Sequence, residues 1–171
     1  MRSNLKRRWT VLAIGSALTL LIGAMGVALA SPPTPASGTI TQTEVLSSEV
    51  SFAGPNVIIE QTVAETVSGT LNGTAVETIR VVLHPNGKFT AKGTGTCQCT
   101  VEGVGSGVLE WVTSDTGESD LPTPTFAGRT VITGGTGDLS SLGGVLQIEG
   151  TVDPATSLSV IDYSGEIHSH P

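Results

Sequence analysis

Hydrophobic and polar residues alternate along much of the chain after residue 37, and this period of two is typical of β-strands with one buried face. In residues 88–95, lysine and threonine alternate with phenylalanine, alanine and glycine, so one face is predicted to be solvated and the other packed. Similar runs, with turn residues about 8–12 positions apart, predict an all-β domain of about eight or nine strands. The runs are 39–46, 56–67, 75–84, 88–95, 96–102, 107–113, 126–133, 145–152 and 158–167.

Turn and glycine signals refine this prediction. The segment His84-Pro85-Asn86-Gly87 separates two runs, and Asn-Gly is a strong signal for a tight hairpin turn. The nearest approach to a helical stripe, three leucines between residues 139 and 146, is interrupted by two glycines. Glycines inside the runs, such as Gly93, Gly95 and Gly150, permit bulges and coiling of the strands. A closed barrel is therefore favoured over a flat sandwich.

The N-terminus has the pattern of an export signal. Basic side chains are confined to residues 1–8 of the first thirty, and the uncharged run 10–30 ends in Ala28-Leu29-Ala30, a signal-peptidase pattern. Cleavage after Ala30 is favoured; the alternative is a retained anchor, because the run is near the ~20 residues that span a bilayer. The predicted organisation is a signal peptide at 1–30, a Pro/Ser linker at 31–37 and a β-barrel domain at 38–171. The protein is expected to be secreted or extracytoplasmic.

Charge narrows the range of partners. All 15 acidic residues lie after residue 30, where the only basic residues are Arg80, Lys88, Lys92 and Arg129, so this part carries a net charge of −11. Proteins that bind nucleic acid neutralise phosphates with Lys and Arg, so a nucleic-acid partner is excluded. Contact with a membrane is expected only through an uncleaved leader.

The glycine-rich segment 133–144 connects two predicted strands. It lacks the Gly-Lys-Ser/Thr ending of a phosphate-binding loop, and no helix follows it, so we interpret it as a tight connection. Its Gly-Gly-Thr-Gly-Asp-Leu sequence, followed by Leu-Gly before a new strand, resembles the allene oxide cyclase and dirigent barrel group. It resembles more closely a group of small bacterial domains of unknown function thought to share that barrel.

Segments 67–73, 85–89 and 103–109 add further matches, so the resemblance covers roughly residues 38–167. It implies a single antiparallel eight-stranded β-barrel of the allene oxide cyclase type. The bacterial group brings no established activity, and no catalytic residue of the plant cyclases is matched in this chain.

Two glutamates are weak candidates for catalysis. Glu77 shares its strand face with apolar residues of the run 75–83, and Glu65 shares one with two valines. If these faces point into a barrel, desolvation raises the pKa of the carboxyl group and suits it to acid–base chemistry. The alternative is that each lies near a strand end or is turned outward by a bulge. Glu110 is a weaker third candidate.

Cys97 and Cys99 alternate on one predicted strand, which places their Cα atoms about 6.7 Å apart. This distance is at the upper limit for a disulfide, so an internal bond requires a local bend. Free thiols, intermolecular bonds, and a zinc site completed by His168 and His170 are the alternatives. The segment 168–171 is interpreted as a solvated tail, and no metal or cofactor is predicted.

The acidic segment 115–120 is interpreted as a solvated loop, with weak calcium binding as the alternative. No nucleophile motif is found. The sequence therefore predicts a binding module for a small apolar ligand, with Trp111 and Phe89 as candidate ligand contacts. The alternatives are a structural or partner-binding extracellular barrel packed by its own side chains, and a cyclase or isomerase acting on a lipid-like substrate. No oligomeric state is predicted.

Overall fold

The computed structural model describes residues 32–169, which form eight β-strands and one short 3₁₀ helix, Gly137–Leu139. The predicted signal peptide and His170 lie outside this range. The strands are β1 (Thr34–Ala53), β2 (Asn56–Gly69), β3 (Leu71–Leu83), β4 (Lys88–Val101), β5 (Gly105–Glu118), β6 (Thr125–Gly135), β7 (Leu142–Val152) and β8 (Ser159–Ser169). Within residues 32–169, no helix is long and apolar enough to cross a bilayer.

The eight strands close into a ring. Each strand pairs antiparallel with the next in sequence, and β1 pairs antiparallel with β8. The predicted fold class, an all-β antiparallel barrel of eight strands, is confirmed. Alternating side chains point into the barrel, and β4 follows this pattern without interruption.

The hairpin predicted at residues 84–87 is confirmed. The amide of Gly87 donates a hydrogen bond to the carbonyl of His84 at 3.1 Å, and Gly87 has a φ of 76°, a conformation that favours glycine. In contrast, the predicted runs 88–95 and 96–102 form one strand, β4. Gly95 lies inside this strand and does not end it, because it stays paired with β3 on one side and with β5 on the other.

Several strands are longer than the sequence pattern predicts. β1 begins at Thr34, so part of the predicted linker pairs with β8, and β5 continues to Glu118, so Asp115 lies in a strand and not in a loop. β8 reaches Ser169, so the tail interpretation is wrong for the half-buried His168. In each case a neighbouring strand supplies the hydrogen-bond partners, which overrides the local sequence preference.

The seam between β1 and β8 opens towards one end of the barrel. β1 pairs with β8 only as far as Thr41, and its register with β2 shifts after Gln42 and again after Val45. Such bulges bend a strand. Beyond them β1 pairs with β2 alone, and residues 47–53 are exposed.

The two halves of the barrel differ in packing. The half that contains the 3₁₀ helix is filled by buried apolar side chains, among them Leu109, Leu139, Leu146 and Ile167, and by a disulfide between Cys97 and Cys99. We call it the packed half. The other half, at the end that carries the turn at 84–87, encloses a cavity, and we call it the open half.

Glycines inside the strands make room for large inward side chains on a neighbouring strand. A Cβ atom added at any of these glycines would collide with the side chain of its partner. The pairs are Gly93 with Glu77, Gly95 with Trp111, Gly117 with Phe89, Gly150 with Phe126, and Gly38 with Tyr163. We call these the glycine pairs.

Candidate binding site in the barrel lumen

The open half contains a cavity of about 280 Å³. Its walls are mostly apolar, and six of the lining residues are Ile59, Ile79, Val81, Leu83, Ile148 and Ile161. The loops after β5 and β7 contribute Pro124 and Pro154 at the mouth. A concave, apolar lining with a few convergent polar groups is the usual character of a small-molecule site.

Glu77 of β3 is the most deeply placed charged group that lines this cavity. It is 5% exposed, and its carboxyl group lies over Gly93 of β4, where no side chain stands in the way. Burial raises the pKa of Glu77 to about 7, opposed by hydrogen bonding from the side chains of Thr113 and Trp111. Glu77 is therefore close to half-protonated near neutral pH.

Glu65 of β2 lies beside Glu77, towards the packed half. It is 2% exposed, and burial together with the charge of Glu77 raises its pKa to about 8. The side-chain amide of Gln42 donates a hydrogen bond to Oε1 of Glu65 at 3.2 Å, which opposes this rise. Among residues 32–169, Oε2 of Glu65 and Oε1 of Glu77 are buried without a hydrogen-bond partner.

A proton shared between Glu65 and Glu77 supplies one of the missing hydrogen-bond donors. Two ionised carboxylates can only accept hydrogen bonds, so neither satisfies the other, and their charges repel. One proton on Glu65 or Glu77 converts the pair into an acid that donates and a carboxylate that accepts. The raised pKa of both groups has the sign expected for such a pair.

Asp115 of β5 is a third carboxyl group on the cavity wall. Burial raises its pKa to about 6, and its charge contributes to the raised pKa of Glu77. Glu77 and Asp115 line the cavity from the two strands that flank β4: the carboxyl group of Glu77 lies over Gly93, and Asp115 pairs with Ala91. No lysine, arginine or histidine of the described range lines the cavity.

Gln42 connects Glu65 to the start of β8, at the point where β1 and β8 separate. Its side-chain oxygen accepts a hydrogen bond from the backbone amide of Ser159 at 3.1 Å, while its amide group donates to Glu65. It thus joins β1 to β8 just beyond the last paired residue, Thr41. One side chain therefore closes the ring at the point where β1 leaves it and holds Glu65 in place.

The structure brings together four of the residues singled out from the sequence. Trp111 and Phe89 line the cavity with Glu77, and Glu65 lies directly behind Glu77. Glu110 is exposed on the outer face of β5, so it does not belong to the site. Asp115 and Gln42 were not predicted to line the barrel lumen. Asp115 alternates with Trp111 and Thr113, a signal that identifies it only once β5 is known to extend beyond residue 113.

The two cysteines lie away from the cavity, on the inner face of β4 in the packed half. They are joined in a disulfide with a Cα–Cα distance of 5.2 Å, shorter than the spacing expected in a regular strand. Both are buried. Their sulfur atoms are consequently not free to bind zinc, and no group of three or more potential metal ligands occurs within residues 32–169.

Comparison with known proteins gives matches only among solved structures. No family model matches the chain, and no curated protein matches it. A DUF3224 family protein of unknown function from Shewanella oneidensis MR-1 has a TM-score of 0.57 and 14% identity, covering 82% of this chain and 99% of that one.

Two pterocarpan synthase dirigent proteins, GePTS1 and PsPTS1, each have a TM-score of 0.49 and 11% identity. They cover 82% and 84% of this chain, and 92% and 99% of their own lengths. At these identities the likeness concerns the fold alone. The expected resemblance to a bacterial barrel of unknown function is confirmed at that level: the chain shares its fold with the DUF3224 family protein.

Proposed function

We propose that the barrel binds a small, largely apolar molecule in its open half and holds a polar group of that molecule against Glu77 and Asp115. The observation that carries this proposal is a carboxyl group 5% exposed, with an unpartnered oxygen, on the wall of an otherwise apolar cavity. A buried polar group without a partner costs about 1–3 kcal/mol, more when it is charged. A ligand that supplies the partner recovers part of that cost.

The size of the cavity limits the ligand. At about 30 Å³ for each water-sized group, a cavity of about 280 Å³ holds roughly nine non-hydrogen atoms. A larger depression of about 830 Å³ lies near Lys88 and Glu149, but it is open to solvent and no buried carboxyl group lines it. The lumen is therefore the better candidate.

Quenching of Trp111 fluorescence tests this proposal. The chain has two tryptophans, Trp9 and Trp111, so a Trp9→Phe background isolates the residue on the cavity wall. The probe is 6-bromohexan-1-ol, whose bromine quenches indole fluorescence and whose size fits the cavity. We expect saturable quenching in protein expressed from the full-length sequence, and native mass spectrometry of the same material reports any ligand that co-purifies.

Two substitutions on neighbouring positions of β4 provide the matched control. Ala91→Phe adds a phenyl ring on the inner face, where Ala91 lines the cavity, and Thr90→Phe adds the same ring on the outer face. Saturable quenching is expected to survive in Thr90→Phe and to be lost in Ala91→Phe. Quenching that rises linearly with probe concentration, equally in all three proteins, contradicts the proposal and favours a structural barrel.

A second candidate function is proton transfer, of the kind a cyclase or isomerase requires. It is favoured by one observation: two adjacent carboxyl groups have pKa values of about 8 and about 7, close to the range in which a general acid–base catalyst works best. A suitable probe is cyclohex-3-enone, whose isomerisation to cyclohex-2-enone only moves a proton between two carbon atoms. Catalysis that is lost in Glu77→Gln and kept in Glu110→Gln supports this function; no rate above the buffer in any variant contradicts it.

We also propose that the barrel works outside the cytoplasm. The leader pattern and the buried disulfide support this location, because disulfides persist mainly in oxidising compartments. Fractionation of the native host and N-terminal sequencing of the recovered protein test it. A chain that starts at Ser31 in the extracytoplasmic fraction is the expected result, and an intact chain in the cytosol contradicts it.

A further inference from the structure

The polar groups of the cavity share a property that restricts the ligand further than its size does. Two charged side chains line the cavity, those of Glu77 and Asp115, and both are acidic. A third carboxyl group, that of Glu65, lies behind Glu77. Resting on the function proposed above, we propose that the ligand is a small apolar amine whose ammonium group binds between Glu77 and Asp115. Its hydrocarbon part then contacts the isoleucine- and valine-rich wall.

The buried oxygen atoms that lack a hydrogen-bond partner also favour a ligand that donates hydrogen bonds. Oε2 of Glu65 and Oε1 of Glu77 are acceptors without donors among the described residues. An ammonium group has three donors and no acceptor, so it supplies the donor that Oε1 of Glu77 lacks. A hydroxyl group has one donor and brings acceptors of its own. A carboxylate brings only acceptors and a further negative charge, so fatty acids of the same length are expected not to bind.

Gly93 leaves the space that the carboxyl group of Glu77 occupies. Glu77 extends over this glycine from β3, and Asp115 lines the cavity from β5, on the other side of β4. The charge of Asp115 contributes to the raised pKa of Glu77. A cation between them interacts with both, in a cavity whose apolar walls strengthen electrostatic attraction relative to water.

Binding of a cation must be coupled to release of a proton. Burial favours the neutral forms of the carboxyl groups, whereas an ammonium group favours the ionised forms. The titratable groups that Glu77 faces are Glu65 of β2 and Asp115 of β5. The side chains of Thr113 and Trp111 on β5 hydrogen-bond to Glu77, and the neutral Gln42 and Thr130 also line the cavity. Amine affinity therefore rises with pH up to about 7, where Glu77 ionises, and falls again when the amine loses its own proton.

Isothermal titration calorimetry with three ligands of one chain length tests this inference. The ligands are 1-heptylamine, 1-heptanol and heptanoate, each small enough for the cavity, and the protein is that expressed from the full-length sequence. We expect the amine to bind at least about tenfold more tightly than the alcohol, and heptanoate not to bind. Titrations at pH 7 in two buffers of different ionisation enthalpy are expected to show release of up to one proton for each amine bound.

Variants of Glu77 and Asp115 test whether these two carboxyl groups cause the preference for the amine. Glu77→Gln and, independently, Asp115→Asn are expected to reduce the ratio of amine to alcohol affinity to near one, whereas the exposed Glu110→Gln leaves it unchanged. Two variants are used so that a folding defect in one does not end the test. Ala91→Phe is expected to abolish binding of the amine, which separates the lumen from the acidic outer surface.

The outcomes separate this inference from the proposed function. If heptanol binds as tightly as heptylamine and Ala91→Phe abolishes both, the barrel is a binding protein but the amine class is wrong. If heptylamine binds equally to Ala91→Phe, its binding site is not the lumen, and the inference is wrong. If none of the three ligands binds, both the inference and the proposed function are contradicted.

Discussion

Replacement of Glu77 by glutamine is expected to stabilise the protein at high pH and to have much less effect at low pH. In the unfolded chain Glu77 ionises near its ordinary pKa of 4.5, whereas in the folded barrel it ionises near 7. Between these values the folded state binds more protons than the unfolded state, so stability falls as pH rises through this interval. Well above pH 7 Glu77 is ionised in both states, so its effect on the free energy of unfolding no longer changes with pH.

The size of the effect follows from the same two values. The interval from 4.5 to about 7, at about 1.4 kcal/mol for each pH unit, corresponds to about 3 kcal/mol. Little of this is screened by solvent, because Glu77 is 5% exposed. Glutamine has nearly the same shape and no ionised form. Relative to the original protein, Glu77→Gln is therefore expected to gain about 3 kcal/mol between pH 4.5 and pH 9.

Urea unfolding at a series of pH values measures this gain, since urea leaves the ionic strength unchanged. The control is Glu110→Gln, which removes the same charge from the exposed face of β5. It is expected to change the pH dependence by less than about 0.5 kcal/mol. If Glu77→Gln and Glu110→Gln differ from the original protein by the same constant amount at every pH, then Glu77 does not titrate in a buried site, and the reasoning about the cavity is wrong.

Three further predictions concern the packing of the barrel. Leu139→Ala in the 3₁₀ helix is expected to lower the free energy of unfolding by about 2–5 kcal/mol, measured with urea, because Leu139 is fully buried in the packed half. The disulfide between Cys97 and Cys99 is expected to resist reductants until denaturant is added, because both residues are buried, and intact mass after alkylation reports this. Gly95→Ala is expected to cost about 1–3 kcal/mol and to shift the fluorescence of Trp111, because the new methyl group collides with the indole ring.

The two substitutions have controls at the next residue along the chain. Ser140→Ala, next to Leu139 and exposed, is expected to be nearly neutral, as is Thr96→Ala on the outer face of β4. Equal costs for Leu139→Ala and Ser140→Ala contradict the packing role of the 3₁₀ helix. Reduction of the disulfide at the same rate with and without denaturant contradicts the burial of Cys97 and Cys99.

The alternation of side chains allowed much of the fold to be predicted. The faces of β4 and the turn at 84–87 follow from local sequence, because a period of two and an Asn-Gly pair have few other interpretations. The inward faces that carry Glu65 and Glu77 followed from the same alternation. Whether these glutamates are buried did not, since a bulge or a strand end turns such a residue outward.

The remaining features depend on pairing between distant strands. The run of charges at 115–120 predicts a solvated loop, yet β6 pairs with Asp115 and keeps this segment extended. The role of Gln42 depends on the bulge in β1 and on Ser159, which lies 117 residues away. The disulfide between Cys97 and Cys99 was left open by the local sequence, because a regular strand spaces their Cα atoms about 6.7 Å apart, whereas the structure has 5.2 Å.

The glycine pairs have a consequence for how the sequence of this barrel evolves. The space available at any point of the lumen depends on two positions in neighbouring strands, and not on one. A lineage that acquires alanine at position 93 must move or shorten the side chain at position 77, so the two positions are expected to vary together among homologues. At Gly93 and Gly95, where an added Cβ meets only side-chain atoms of the partner, exchange of the small and the large member within the pair relocates empty space by one strand. One unchanged framework can thereby come to enclose molecules of different shape, through steps that each involve only two residues.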